Sequence, residues 1–208
     1  MSIAQRVYDE VIDGLRQGRY RPGDRIRSEE IARAFAVSRT PVREALYRLQ
    51  ERGLLEMTPA GLSVSTLDRR AVVELYAMRE LLEGAAARFA AMNAAPGDLD
   101  EIAAVDRAFA AATGDAVRQA DLNRAFHNAV YEAARNRYLL ETLRGMHDTL
   151  LLLPGTTFET EGRHGRATAE HEALVAAIRD RDADRAERLS RDHIARARDA
   201  RLSMMFTY

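Results

Sequence analysis

Three histidines and one asparagine carry the side chains best suited to hold a metal ion. Asn123 precedes His127 by four residues, so both project from one face of a helix. His171 and His193 stand 22 positions apart, on either side of a turn centred near Arg181-Asp182. At about 1.5 Å of rise per residue, an antiparallel helix pair brings them nearly level. His171 shares its face with Leu174 and Ile178, and His193 shares its own with Ala186 and Leu189, so both point inward. Three inward imidazoles and a short amide carbonyl form a candidate site for a divalent ion such as zinc, nickel or manganese, with coordination positions left open. The alternative is three imidazoles hydrogen-bonded separately in the core. His147 offers at most a spare ligand, and His164 reads as a loop residue. An open metal site would also activate water for a hydrolase or lyase, but no Asp or Glu stands at a motif distance as its general base. A purely structural metal is a further alternative.

These residues sit in a stretch that is helical in pattern throughout. From Asp68 onward six helices are expected, at about 69–92, 98–113, 115–135, 138–153, 165–180 and 183–204. Pro96-Gly97, Gly114, Asn136, Pro154-Gly155 and the acidic turn 180–184 supply the breaks. The expected architecture is mainly α, with an all-α six-helix bundle over 68–208 behind a smaller domain over 1–67.

The front part reads differently. Ile3, Val7, Val11, Ile12 and Leu15 stripe a first helix that stops at Gly18. Ser28 is placed to cap a short second helix, and Ile31, Ala32 and Phe35 form its buried stripe. After a tight turn at Ala36-Val37, a third helix starts near Ser38 or Thr40, with Pro41 in its first turn and Gly53 at its end. Strand-like runs 54–58 and 62–66 flank Pro59-Ala60-Gly61 as a hairpin. Helix, short helix, turn, helix and hairpin is the pattern of a winged helix-turn-helix. Arg39, Thr40 and Arg43 project together from the start of its third helix. An arginine there can bridge guanine O6 and N7, while the hydroxyl and the positive helix end hold phosphate.

Composition narrows the remaining classes. The chain has 208 residues, with 31 basic and 32 acidic groups and no Cys. All the basic residues are Arg, a bias that a GC-rich genome produces without physical selection. Residues 1–67 carry about +2 and residues 68–208 about −3, the sign expected if the front part faces nucleic acid. Without Cys there is no disulfide framework, thiolate site or Cys nucleophile. No signal pattern opens the chain, and the longest aliphatic run is Leu150–Leu153, far short of the roughly 20 residues that span a bilayer. A cytoplasmic protein with no membrane segment is expected.

The run Val37-Ser38-Arg39-Thr40-Pro41-Val42-Arg43-Glu44-Ala45-Leu46, with Leu49 and Glu51-Arg52-Gly53-Leu54-Leu55, closely resembles the N-terminal signature of GntR-family bacterial transcriptional regulators. The resemblance covers about residues 5–66. It implies a winged helix-turn-helix that binds operator double-stranded DNA as a homodimer, with contacts from Arg39, Thr40, Arg43 and the wing-tip Gly61, and with Glu44 as a structural acid. Many relatives carry a DNA-contacting Arg at the second residue of the preceding helix. Here that residue is Glu29, and Arg27 is the nearest substitute. Downstream, Met78-Arg79-Glu80-Leu81-Leu82-Glu83, Asn123-x3-His127, Glu170-His171 and His193 resemble the FCD effector domain of the FadR subfamily, in its six-helix VanR-like branch. That implies a metal held by one Asp or Asn and three His, here Asn123, His127, His171 and His193, beside a small organic-acid effector. Arg79 is the matching effector arginine, or else an intra-bundle partner of Glu83. Asn in place of Asp leaves the ion its full charge, which weakens its binding and strengthens its pull on an anion. Repression is the commoner sign in the family.

Overall fold

The first apolar stripe does what its spacing requires. Helix α1 (Ile3–Arg16) begins where Ser2 accepts the Gln5 N–H, and it buries Val7, Val11 and Leu15. These pack on Val42, Leu46 and Leu49 of α3 (Arg39–Glu51), behind the short α2 (Ser28–Ala34). The computed structural model describes residues 1–206. The chain divides into two units, residues 1–67 with 147–154, and residues 68–146 with 155–206 of the described chain.

In the first unit, strands β1 (Leu55–Thr58) and β2 (Gly61–Val64) pair antiparallel, with Leu55 opposite Val64 and Thr58 opposite Gly61. The loop before α2 joins this hairpin. The Ile26 N–H bonds the Leu62 carbonyl at 2.8 Å, and the Val64 N–H bonds the Asp24 carbonyl at 2.8 Å. That pairing holds the backbone extended as far as Arg27. Arg27 therefore occupies the cap position of α2, and Ser28 lies inside the helix without a capping hydrogen bond, contrary to expectation. Gly61 adopts φ +113, a backbone conformation that favours glycine, and it lies beneath the Arg25 guanidinium, 3.3 Å from where a Cβ would stand. The segment 147–154 was expected to belong to the bundle. Instead Leu152 joins the core of the winged unit, and Asp148 pairs with Arg52 at 3.0 Å.

The second unit consists of six α-helices: α4 (Arg69–Asn93), α5 (Pro96–Ala111), α6 (Ala116–Ala133), α7 (Arg137–Thr149), α8 (Arg163–Arg179) and α9 (Ala183–Phe206), the last residues of α7 counting with the winged unit. The expected fourth helix stops short, with Leu150–Leu152 as a 3-10 turn. A second such turn, Thr157–Glu159, precedes α8. His164 lies in the first turn of α8 rather than in a loop, where its Nε2–H donates to the Phe109 carbonyl at 2.8 Å. Small residues set the packing of α4. Ala87, Ala90 and Ala91 are buried against Phe126, Leu174 and Ile178. At Gly84 a Cβ would come within 2.7 Å of Arg191 Cγ, so α9 approaches α4 closely there. The Arg181 guanidinium donates to the carbonyls of Ala91 and Ala94 at the end of α4, satisfying groups a helix C-terminus leaves open.

Candidate metal centre and nucleic-acid interface

Within the bundle, α6, α8 and α9 bring His127, His171 and His193 together. One nitrogen from each lies within 4.8 Å of the others, and all three side chains are buried. Their rings sit 4.9 to 5.7 Å apart between centroids. The aromatic surround is tight. Phe126 stacks on His171 at 3.9 Å between centroids, and the tilted Phe109 ring lies against the same imidazole at 4.8 Å. Asn123 lies one turn before His127 on α6, with its Oδ1 sealed from solvent and without a hydrogen-bond partner.

Two of the imidazoles meet a carboxylate through Nδ1, and the third only approaches one. His127 Nδ1 lies 2.8 Å from Glu83 Oε2, His193 Nδ1 lies 2.7 Å from Glu170 Oε2, and His171 Nδ1 lies 3.8 Å from Asp106 Oδ1. A carboxylate accepting from Nδ1–H fixes the tautomer and leaves Nε2 as a bare lone pair. His127 Nε2 and His193 Nε2 then face each other at 3.3 Å. Two lone pairs at that distance repel unless a cation or a proton sits between them. Two nitrogens at about 2.0–2.1 Å from one tetrahedral ion would be about 3.3 Å apart. His171 has neither ring nitrogen hydrogen-bonded. An unpartnered His171 nitrogen, the unpartnered Asn123 oxygen and the two opposed Nε2 atoms together form a donor set that fits a divalent ion.

Electrostatics favours the neutral, ligating form at His171 and His193. Burial pushes His171 well below its ordinary value, and the neighbouring His193 and His127 push the same way. Burial takes His193 down to about 4, with its hydrogen bond to Glu170 opposing. Burial raises Glu170, but the hydrogen bond and charge of His193 and then Arg163 outweigh it, so the carboxyl ends below its usual range. Asp106 rises to about 6, chiefly through burial, with Glu172 adding and Arg107 opposing.

Sequence reasoning missed the acids Asp106 and Glu170 as positioning groups, and Arg163 altogether. Arg79 is buried and pairs with Glu83 Oε1 at 2.8 Å, with Tyr76 under its guanidinium. Arg163 is its counterpart on α8. It is buried, reaches Glu170 Oε2 at 3.2 Å, and keeps an unpartnered Nε. The centre is thus flanked by two arginine–carboxylate–histidine series, Arg79–Glu83–His127 and Arg163–Glu170–His193.

In the winged unit, Val42, Ala45, Leu46 and Leu49 bury one face of α3, and Arg39, Thr40 and Arg43 emerge exposed from its start. Arg27 is exposed and pairs with Glu30 at 2.9 Å. Glu29 pairs with Arg39 at 3.2 Å. Glu44 is exposed and makes no ion pair among the described residues. Gly61 forms the wing tip beneath Arg25.

A winged helix-turn-helix unit together with a helical bundle that encloses a histidine cluster is the architecture of a two-part transcriptional regulator. The chain belongs to the GntR family of bacterial regulatory proteins and its FCD-domain members: residues 3–61 match the former family and residues 74–196 the FCD domain. It is 38% identical over 107 residues to an HTH-type transcriptional regulator from the ttuE–ttuC′ intergenic region of Agrobacterium vitis, a match spanning 50% of this chain and 63% of that one. It is 42% identical over 76 residues to the Nta operon transcriptional regulator of Aminobacter aminovorans, spanning 36% of each. The matched segments thus span less than two thirds of these relatives. The solved structure of E. coli McbR/YncC has the same fold, with a TM-score of 0.81, 24% identity and coverage of 94% of this chain and 95% of that one. These families and relatives are transcriptional regulators, not enzymes. Among the described residues no helix is long and apolar enough to cross a membrane.

Proposed function

We propose that the chain is a repressor that binds operator DNA as a homodimer and releases it when a small carboxylate occupies the bundle beside a divalent metal. Asn123, His127, His171 and His193 hold the metal. The single observation that carries this reading is the opposed Nε2 pair of His127 and His193, each imidazole backed by a carboxylate. When bound, the metal supplies a fixed positive charge for an anionic oxygen. Glu83 and Glu170 keep the imidazoles in the ligating tautomer, and Phe126 and Phe109 limit the access of water to His171. Arg163, with its free Nε, and Arg79 are the cations available to a second carboxylate. Arg39, Thr40, Arg43 and Gly61 face the operator, with Arg27 beside them. Regulation requires that the effector bind the free and the DNA-bound states unequally.

The test is fluorescence anisotropy on a duplex enriched by the chain from a random pool, with and without chelator and with a panel of sugar acids, hydroxy acids, dicarboxylates and aromatic acids. A carboxylate that shifts DNA affinity only in the metal-loaded protein supports the reading. If chelation melts the bundle and no acid shifts affinity, the metal is structural and the sensing role is wrong.

A further inference from the structure

We infer that Glu29 is a specificity residue of the DNA-reading face: it holds Arg39 so that this arginine addresses a base edge instead of the phosphate backbone. The inference rests on the operator-binding reading above.

Glu29 is the second residue of α2, and Arg39 is the first of α3. Their side chains meet at 3.2 Å across the turn, with 47% and 60% of their surfaces exposed. An ion pair so open to water contributes little to stability, because solvent screens it and two long side chains must be ordered to make it. The fold therefore does not require it. Arg27 on the same face is also paired, with Glu30 at 2.9 Å, but that pair is local to the start of α2, whereas the Glu29–Arg39 pair joins α2 to α3. Arg43, one turn along α3 from Arg39, has no ion pair among the described residues, and neither has Arg25 over the wing tip. The carboxyl stays ionised. Its own backbone N–H lowers its pKa most, and Arg39, the Ser28 hydroxyl and then Arg43 lower it further, against a smaller rise from desolvation.

The consequence follows from the shape of guanidinium. It offers five N–H donors in a planar fork, and Glu29 engages one terminal nitrogen. The remaining donors can bridge guanine O6 and N7. Meanwhile the carboxylate repels phosphate and cancels part of the charge that Arg39 would otherwise give to the backbone. Binding to arbitrary sequence depends almost wholly on such phosphate neutralisation, and base reading does not. Glu29 therefore weakens non-specific binding more than it weakens binding to the operator.

The experiment uses the full chain, the duplex it enriches from a random pool, and poly(dI–dC) as the non-specific probe. Glu29→Gln, Arg39→Gln and the double variant are compared over a salt series and on duplexes substituted at each position, with circular dichroism confirming the fold. Glu29→Gln should bind poly(dI–dC) about 3–10-fold more tightly, with a salt slope steeper by about 1, as one more phosphate is neutralised. Base discrimination should fall at one position, and that loss should be absent in the Arg39→Gln background. If Glu29→Gln strengthens binding to both probes equally and leaves every base preference intact, Glu29 is only a repulsive surface charge and the inference is wrong. If the wild-type chain enriches no duplex at all, operator binding itself fails and the inference fails with it.

Discussion

Glu83 Oε2 lies 2.8 Å from His127 Nδ1, while the other oxygen of the same carboxylate holds Arg79. One buried acid therefore fixes both a candidate metal ligand and a buried cation. Removing its charge has two separable effects. Glu83→Gln should weaken divalent-metal binding by about 10–100-fold, the usual loss when a backing carboxylate is removed. It should also lower the melting temperature of the metal-free protein, because Arg79 is left as an uncompensated buried charge. Isothermal titration with zinc, nickel and manganese reads the first effect and calorimetry of the chelated protein the second. Unchanged affinity for all three metals would show that Glu83 serves Arg79 alone.

Removing the metal tests the centre as a whole. A ligand that binds only the folded state stabilises by about 2.7 kcal/mol at 100 times its Kd. Chelation should therefore lower the melting temperature by several degrees, and His193→Ala should abolish the difference between the loaded and chelated protein. If both forms of the wild type melt together, no metal is bound at His127, His171 and His193.

Much of this geometry was legible in the sequence, and the part that was not has a common cause. Spacing alone put His171 and His193 level across the turn, because helix rise is constant, and put Asn123 on the face of His127. The strand-like runs on either side of Pro59-Ala60-Gly61 gave the hairpin. The acids were harder to read. Asp106 lies between Ile102 and Phe109 on the buried stripe of α5, and an acid in an apolar stripe was the available signal. Glu83 was seen only as a partner for Arg79. Pairing it with His127 requires knowing which helices are neighbours, and periodicity does not encode that. The separation of 147–154 from the bundle is likewise tertiary, since Leu150–Leu152 is as apolar as any bundle segment, and only packing assigns Leu152 to the other core.

Asn123 sets the charge of the candidate ligand set. With three imidazoles and an amide, all neutral, a bound ion keeps its full +2. Asn123→Asp adds a negative ligand in place of a neutral one of nearly the same shape. Metal affinity should rise, and the affinity of the metal-loaded protein for a carboxylate should fall, because the net field at the open coordination position weakens. Competition with a coloured chelator measures the first change and titration of the effector acid the second. If both affinities move in the same direction, Asn123 is not a ligand.

The candidate DNA face gives the sharpest contrast between a residue proposed to bind and one that only supports. Arg43 is exposed on α3, while Leu49 on the opposite face is fully buried. Arg43→Ala should cost about 1–3 kcal/mol of operator binding if it reads a base, with specificity relaxed at one position and the melting temperature unchanged. Leu49→Ala should instead cost about 2–5 kcal/mol of stability through the cavity it leaves, and should lower DNA affinity only by reducing the folded fraction. Urea unfolding and anisotropy on the same preparations separate the two. If the folded fraction of Leu49→Ala binds as tightly as wild type while Arg43→Ala binds weakly, Arg43 makes the contact and Leu49 only maintains the helix that presents it. If Arg43→Ala binds every duplex as the wild type does, the recognition surface does not include Arg43.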